Sequence, residues 1–527
     1  PRMPSAAADH LLALDVGTQS VRALLVTAAG VQVARGAVEI APYVAPRPGW
    51  AEQDPEVYWT ALARACARLW QASPVGADAV AAVALTTQRG TVVNVDAAGR
   101  PLRPAIVWPD RRRTSPVPPV GALWRAALAA VGMGDAVRHV QAEAESNWLR
   151  RHQPALWQAT HKYLLLSGWL TWRLTGRWVD SVGCQVGYLP FDYRRLRWAG
   201  PRDWRWDAFG VAPAMLPALV EPGTVLGPLT APGAAALGVA RDVPLVAAAA
   251  DKACEILGAG ATRPGTAAIS YGTTATVNVL LARYAEAVPF MPAYPAPIPG
   301  RHALEIQIAR GYWLVRWLLG EFGEHEGRAA AEEGVRPEVL FDRAVGGVPP
   351  GAGGLVLQPF WSPGVRDPGP EARGAIIGFG PEHGRAHLYR ALLEGLAFGL
   401  REGLERIERG AGVRVGELRV AGGGAQSDVV LQLTADVFGR PASRPHLADA
   451  SALGAAIVAA AGVGVHPGLD AAVAAMTRTA RTFTPDAATA RRYARLHARV
   501  YRRMYARLRP LYDELHRLAA TDADADD

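Results

Sequence analysis

Two carboxylates and two glycine-threonine tips are the residues of this chain best suited to chemistry. Asp15 closes the apolar run LLALDV and is followed by Gly17, Thr18 and Gln19. Past the middle, AAISYGTTATVNVLL repeats the pattern with Gly272, Thr273 and Thr274, without the preceding acid. In each copy an apolar strand enters a hydroxyl-bearing tip and a second apolar strand leaves it. Glycine allows the tight tip and close backbone approach. The threonines and exposed N–H groups then form a cup for an anion. Two cups half a chain apart read as two domains facing each other across a phosphate chain. The asymmetry gives the metal and the transferred phosphate to the half with Asp15, and the rest of the nucleotide to the other half. Asp15 itself has two readings: a turn cap, or the acid that holds magnesium beside a nucleotide phosphate.

The second acid is Asp251, between the apolar run PLVAAAA and the helix-like CEILGAGA. Helix N-cap is one role for it; the other is general base toward a substrate hydroxyl attacking phosphorus. Its neighbour Lys252 is one of only two lysines, with Lys162, in an arginine-rich chain. A compact ammonium there could tune Asp251 or meet a phosphate oxygen. A third device, GGGAQSD at 422–428, lies between a strand and a helix, where a ring or phosphate can approach the backbone and the helix N-terminus. It matches neither a Walker motif nor the full dinucleotide fingerprint.

These residues need elements to hold them. Residues 11–44 read as strand, turn, strand, strand. Asp54-Pro55 opens a helix with apolar positions at Tyr58, Leu62, Cys66 and Leu69. AVAAVALTTQ is a buried strand, and TVVNVDAAGRPLRPAIVW a hairpin with an extended arm. Residues 147–175 read as helical, their tryptophans as core. RAHLYRALLEGLAFGLREGLERI is a strong amphipathic helix, and SALGAAIVAAAGVG a small-residue helix able to approach a neighbour closely. The C-terminal segment, with Leu496, Val500, Tyr501, Met504 and Leu508, reads as a helix packed on its own domain. Together they predict an α/β core with a mixed sheet.

Half of the 527 residues are apolar and 20% are charged, as in globular proteins, and the length favours at least two domains. A net charge of +8 carried by arginine does not point to nucleic acid, and Arg111, Arg112 and Arg113 read as a solvated or salt-bridged loop. Cys66, Cys184 and Cys254 are too scattered for a disulfide framework or a zinc cluster. No apolar run reaches the roughly 20 residues needed to cross a bilayer, and PRMPSAAADH lacks a signal-peptide pattern. A cytoplasmic protein with no membrane and no nucleic-acid partner is expected.

In order, LDVGTQSVRALLV, PGWAEQDPEVYW, PLRPAIVWPDRRR, LTGRWVD, AAAADKACEILGAG, SYGTTATV, RALLEGLAFGL and AGGGAQSD through SALGAA resemble the FGGY family of carbohydrate kinases, which includes xylulokinase and glycerol kinase. The resemblance runs from about Leu11 to about Leu508. It implies two ribonuclease-H-like domains of the actin and hexokinase ATPase type around a central cleft: residues 10–262 with substrate and base, residues 263–518 with nucleotide, and a disordered acidic tail over 519–527. It implies ATP and Mg2+ as cofactors, a small sugar or polyol as substrate, and a homodimer. It makes Asp15 the magnesium-associated acid and Asp251 the catalytic base. Gly17, Thr18, Gln19, Gly272, Thr273, Thr274, Gly311, Gly422, Gly423 and Ser427 become nucleotide contacts. Gln88, Arg89, Gly90, Asp251 and Lys252 become substrate contacts, with Asp180 and Gln185 bordering the sugar pocket. Ser427 replaces an asparagine common in glycerol kinase, and Arg89-Gly90 matches neither named member, so the sugar stays unassigned; an arginine there suits a polyol or an anionic sugar acid. The rival reading is an actin-like, nucleotide-dependent binding or regulatory module that phosphorylates no sugar.

Overall fold

Apolar runs become the central strands of two sheets in the computed structural model, which describes residues 9–289, 291–362 and 368–525, the side chains of 519–525 excepted. β1 (His10–Val16), β2 (Ser20–Thr27) and β3 (Gln32–Glu39) form an antiparallel meander. Asp54 caps α1 (Pro55–Ala72), its carboxylate accepting from the Glu56 N–H. β4 (Val80–Thr87), β5 (Val225–Pro228) and β6 (Pro244–Ala247) complete a sheet of order β5-β6-β4-β1-β2-β3. β1, β4 and β6 run parallel, so their carboxyl ends share one edge. α2 (Asp251–Gly258) starts at that edge.

The second half repeats the plan. β7 (Thr266–Tyr271), β8 (Ala275–Leu281), the short β9 (Tyr294–Pro295) and β10 (His302–Ile308) come first. Then follow α3 (Trp313–Phe322), α4 (Arg385–Ala411), β11 (Glu417–Ala421), α5 (Asp428–Phe438) and β12 (Ala442–Pro445). α6 (Ala450–Gly462), α7 (Leu469–Met476), β13 (Thr479–Phe483) and α8 (Arg502–Ala525) close the chain. The sheet order is β9-β10-β8-β7-β11-β12-β13. Apart from β9, the two sheets match position for position. Each has a three-strand meander, two further strands added in parallel, and an antiparallel edge strand. The paired tips seen in the sequence are thus the visible part of a duplicated sheet.

β1 is buried on both faces, which is why it reads as a continuous apolar run. Leu12, Leu14 and Val16 face the α1 side, packing with Leu62 and Leu69. Leu11 and Ala13 face α6, among Ala452, Ala456 and Ala459. α6 therefore comes from the second half of the sequence but covers the first sheet. Its small residues make this possible: a Cβ on Gly454 would stand 1.8 Å from the Cys254 carbonyl oxygen of α2. Packing crosses the chain position 262/263 even though the two sheets do not. Tyr493, Tyr501 and Met504 anchor the C-terminal segment in the second core. The tail expected to be disordered over 519–527 continues α8 as far as Ala525, and residues 526 and 527 lie outside the described residues.

One expectation is corrected. Residues 147–175 are not one helical stretch: helices at Glu145–His152, Pro154–Ala159 and Leu166–Thr175 are interrupted by a strand, Lys162–Leu165. That strand pairs with Val92–Val95 and buries Tyr163, a long-range pairing that local periodicity cannot report. The arginine run is salt-bridged as expected, with buried Arg112 held by Asp110 and Glu52. All three cysteines are buried and free. Among the described residues no helix is long and apolar enough to cross a membrane.

Candidate active site

The candidate residues gather at the carboxyl ends of parallel strands, the usual place for a ligand crevice in an α/β sheet. Asp15 ends β1, Gln88 and Arg89 follow β4, and Asp251 follows β6. Asp15 is 4% exposed and accepts from Arg22 Nη1 at 3.2 Å. Arg22 also faces Asp449, which holds Arg35 at 2.6 Å. Burial pushes the Asp15 carboxyl up to about 6; Arg22 opposes the rise, and the nearby charge of Asp251 adds to it. Asp251 is the first residue of α2 and the cap position is Ala250, so the N-cap role is not the one it plays. Its Oδ1 accepts the Lys252 N–H at 2.7 Å. Burial raises its pKa above the ordinary aspartate value, against Lys252 and Arg89.

The first tip is closed by the Gly17 N–H donating to the Ser20 carbonyl, 3.0 Å. Thr18 donates to Gln88 Oε1 at 2.6 Å and accepts from Trp108 Nε1 at 2.9 Å. Gln88 also donates to the Tyr58 hydroxyl, 2.9 Å, so its buried amide is committed to bracing the tip. Gln19 reaches the other lobe, accepting from Arg316 of α3 at 2.8 Å. Gly90 donates its N–H to the Val186 carbonyl, 3.1 Å.

The second tip, Gly272 to Thr274, is buttressed from behind. The N–H groups of Gly311 and Tyr312 donate to the carbonyls of Thr273 and Gly272, at 2.9 and 2.8 Å. Gly422 lies beside it at the end of β11, with φ +86; a Cβ there would stand 2.8 Å from the Tyr271 backbone. Gly423 borders open space, and the Ser427 hydroxyl caps α5 by accepting the Val430 N–H. Lys252 joins the two lobes. Its Nζ lies 2.8 Å from Glu255 and 2.7 Å from the Ser270 hydroxyl on β7, and a Cβ on Gly272 would be 3.4 Å from it.

Sequence reasoning missed Glu305. It sits on β10 opposite Asn278 of β8, and reaches across the cleft to Arg89 at 2.7 Å. The side chains are 3% and 17% exposed. Tyr294 stacks beneath the guanidinium, its ring centre 5.1 Å away. Burial works against the Arg89 charge, but Glu305 and Asp251 outweigh it and hold its pKa above the usual arginine value. The recess between them, also lined by Gly183, Val186 and Ala250, has room for about one water, about 10 Å³. The lobes are closed on one another here. The one signal for Glu305 was an acid in the middle of a strand, between Leu304 and Ile306 in HALEIQI. Asp180 and Gln185 stand behind this wall: they bond each other at 2.8 Å and are 2% and 1% exposed. Gly183 and Val186, rather than those two side chains, face the recess.

A model of the N-terminal domain of the FGGY family of carbohydrate kinases matches residues 10–258, and one of the C-terminal domain matches residues 267–463. A glycerol kinase of Methylibium petroleiphilum is 33% identical over 505 residues, covering 90% of this chain and 95% of its own. A protein of Escherichia coli described as an uncharacterized sugar kinase, YgcE, is 29% identical over 489 residues, 92% and 91% of the two chains. The crystal structure of a xylulose kinase from Rhodospirillum rubrum superposes with a TM-score of 0.76 at 28% identity, covering 96% of this chain and all of the other.

Proposed function

Because the chain belongs to the FGGY family of carbohydrate kinases, it is an ATP-dependent phosphotransferase with an alcohol group as acceptor, and we propose that Asp251 is its general base. The observation that carries this is the meeting of Asp251 and Asp15 at one sheet edge, close enough for the Asp251 charge to help raise the Asp15 pKa, with Lys252, next to Asp251, beside the second glycine-threonine tip. The Asp251 carboxylate accepts the proton of the substrate hydroxyl as that oxygen bonds to the γ-phosphorus. The bond from phosphorus to the bridging oxygen breaks in line, and its electron pair leaves with ADP. The N–H groups and threonines of the two tips orient the phosphates; Thr18 is held rigid for this by Gln88 and Trp108. Gly422 and Gly423 receive the adenosine end. Closure of the lobes excludes water as a competing acceptor.

The donor set suits magnesium. Among the described residues no cluster of three or more His, Cys, Asp or Glu could cage a metal, and Mg2+ binds through one or two carboxylates completed by phosphates and water. Asp15 would hold it, with Asp251 near by; Asp15 is buried and Asp251 half-buried, and desolvation disfavours the ionised form of each, which a cation would relieve. Held there, Mg2+ would supply positive charge to offset the negative charge building on the phosphates.

The acceptor is a neutral sugar or polyol. Arg89 alone would suit a sugar acid, but Glu305 already neutralises it, and Asp251 makes the recess a poor home for another anion. On this reading residues 10–262 supply the base and one wall of the acceptor site, and residues 263–518 supply the nucleotide site and, through Tyr294 and Glu305, the facing wall. Asp251→Asn tests the reading. Turnover should fall by roughly 10²–10⁴-fold, the scale of general-base loss, with ATP affinity retained. Near-normal turnover removes Asp251 from the role.

A further inference from the structure

A second cavity, far roomier than the cleft recess, lies where the chain passes between the lobes. Its volume is about 470 Å³, in the range of small-molecule sites. Two stretches that join the lobes line it. One is the α2-to-β7 connection, with Thr262, Arg263 and Pro264; the other is the α7-to-β13 connection, with Thr477 and Arg478. α7, packed on the first lobe through Ala472, Val473 and Met476, forms one wall. Arg301, just before β10, and Arg419, on β11, come from the second lobe.

Four arginines therefore converge from four separate segments, with Asp470 the single acid of the lining. Over the whole chain basic and acidic residues are nearly matched, 56 to 48, so a four-to-one lining is a local departure. Arg419 leans on Glu417 at 3.2 Å and on Thr479, yet its Nε is buried with no hydrogen-bond partner. Arg478 donates to the Ala29 carbonyl of the first lobe, 2.8 Å. Among the described residues no carboxylate forms an ion pair with Arg263, Arg301 or Arg478. Guanidinium groups gathered in one concavity with fewer counter-charges than cations repel one another, and a multiply charged oxyanion is the complement that removes the repulsion and fills their planar donors.

We propose that this cavity binds a compact phosphate-bearing anion and that the bound anion sets the angle between the lobes. It would touch both connections and both lobes at once, so its affinity must differ between open and closed forms. A ligand with such a difference shifts the balance between them. Acceptor affinity, which depends on closure at the Arg89–Glu305 recess, then responds to an anion bound elsewhere. The site is independent of which sugar is phosphorylated and of the role of Asp251.

The test uses the full chain and three probes, inorganic phosphate, pyrophosphate and a sugar monophosphate, titrated calorimetrically. Arg263→Gln/Arg301→Gln removes two exposed cavity arginines that make no ion pair. Arg151→Gln/Arg409→Gln removes the same charge from exposed positions away from the cavity. At least one probe should bind the wild type and the control alike and bind the cavity variant at least tenfold more weakly. Turnover without probe should stay within twofold in both variants. The same probe should change KM for the acceptor in the wild type and the control, and leave it unchanged in the cavity variant. The most tightly held probe identifies the ligand source, inorganic or sugar-borne. Equal weakening in the control, or no dependence on the cavity arginines, overturns the site. Cavity-dependent binding that leaves KM unmoved overturns the coupling to lobe angle.

Discussion

Asp15→Asn should make the protein more stable and less active, and the structure sets the size of the first effect. Asp15 is buried, and its carboxyl is pushed from 3.8 to about 6. The folded state thus holds the proton more tightly than the unfolded chain does. As pH rises from about 4 to about 6 the unfolded chain ionises first, and stability falls through that window. Above it the folded state carries the full cost of a buried carboxylate. At about 1.4 kcal/mol per pK unit, that cost is up to about 3 kcal/mol. Asparagine has the same shape and never ionises. Arg22 is not stranded by the change, since Asp449 lies 3.6 Å from its Nε. The assay is urea unfolding of the nucleotide-free protein at a series of pH values. Wild type and variant should nearly coincide at pH 4 and separate as pH rises, the variant ahead by up to about 3 kcal/mol at pH 7. Turnover should drop at least 10²-fold, because Asp15 is the proposed magnesium ligand. The reasoning is wrong if the variant is the less stable protein at pH 7, or if the gap does not change between pH 4 and pH 6.

Lys252→Met should move the acid limb of the kcat profile to higher pH, since Lys252 is the largest influence holding the Asp251 pKa down against burial; a limb that stays put or moves lower contradicts the assigned base. Glu305→Gln should free Arg89 and raise kcat/KM for sugar acids relative to neutral acceptors by at least tenfold, measured by coupled ADP release. Wild-type preference for a sugar acid would reverse that logic. Gly454→Ala should destabilise the α2–α6 crossing by about 1–3 kcal/mol, because its Cβ has no room beside the Cys254 carbonyl; an unchanged melting temperature would show that the helices can part without cost.

Several parts of the site were readable because they are local. A glycine-threonine tip between two apolar strands needs only about fifteen consecutive residues, and both copies occupy equivalent sheet positions. An apolar run ending in an acid places that acid at a strand end, as for Asp15. The Asp-Pro start of α1 is equally local. Residues 147–175 misled for the opposite reason: the strand at Lys162–Leu165 exists because Val92–Val95 lies beside it, some seventy residues away. Gln88, Asp180 and Gln185 have the types of sugar ligands, but burial and internal partners turn them into supports.

Residue type and order by themselves determined the duplicated tips, the α/β class, the two acids and the family. Tertiary structure alone decided which charges meet. Glu305 and Arg89 are over two hundred residues apart in the sequence and become one ion pair only in the fold. α6 covers a sheet belonging to the other half of the chain, and four arginines from four segments come to share one cavity. Periodicity and turn chemistry act over a few residues, so a sequence displays them directly. Charge pairing and burial act through space, and chain neighbours say nothing about them until the fold has brought distant segments together.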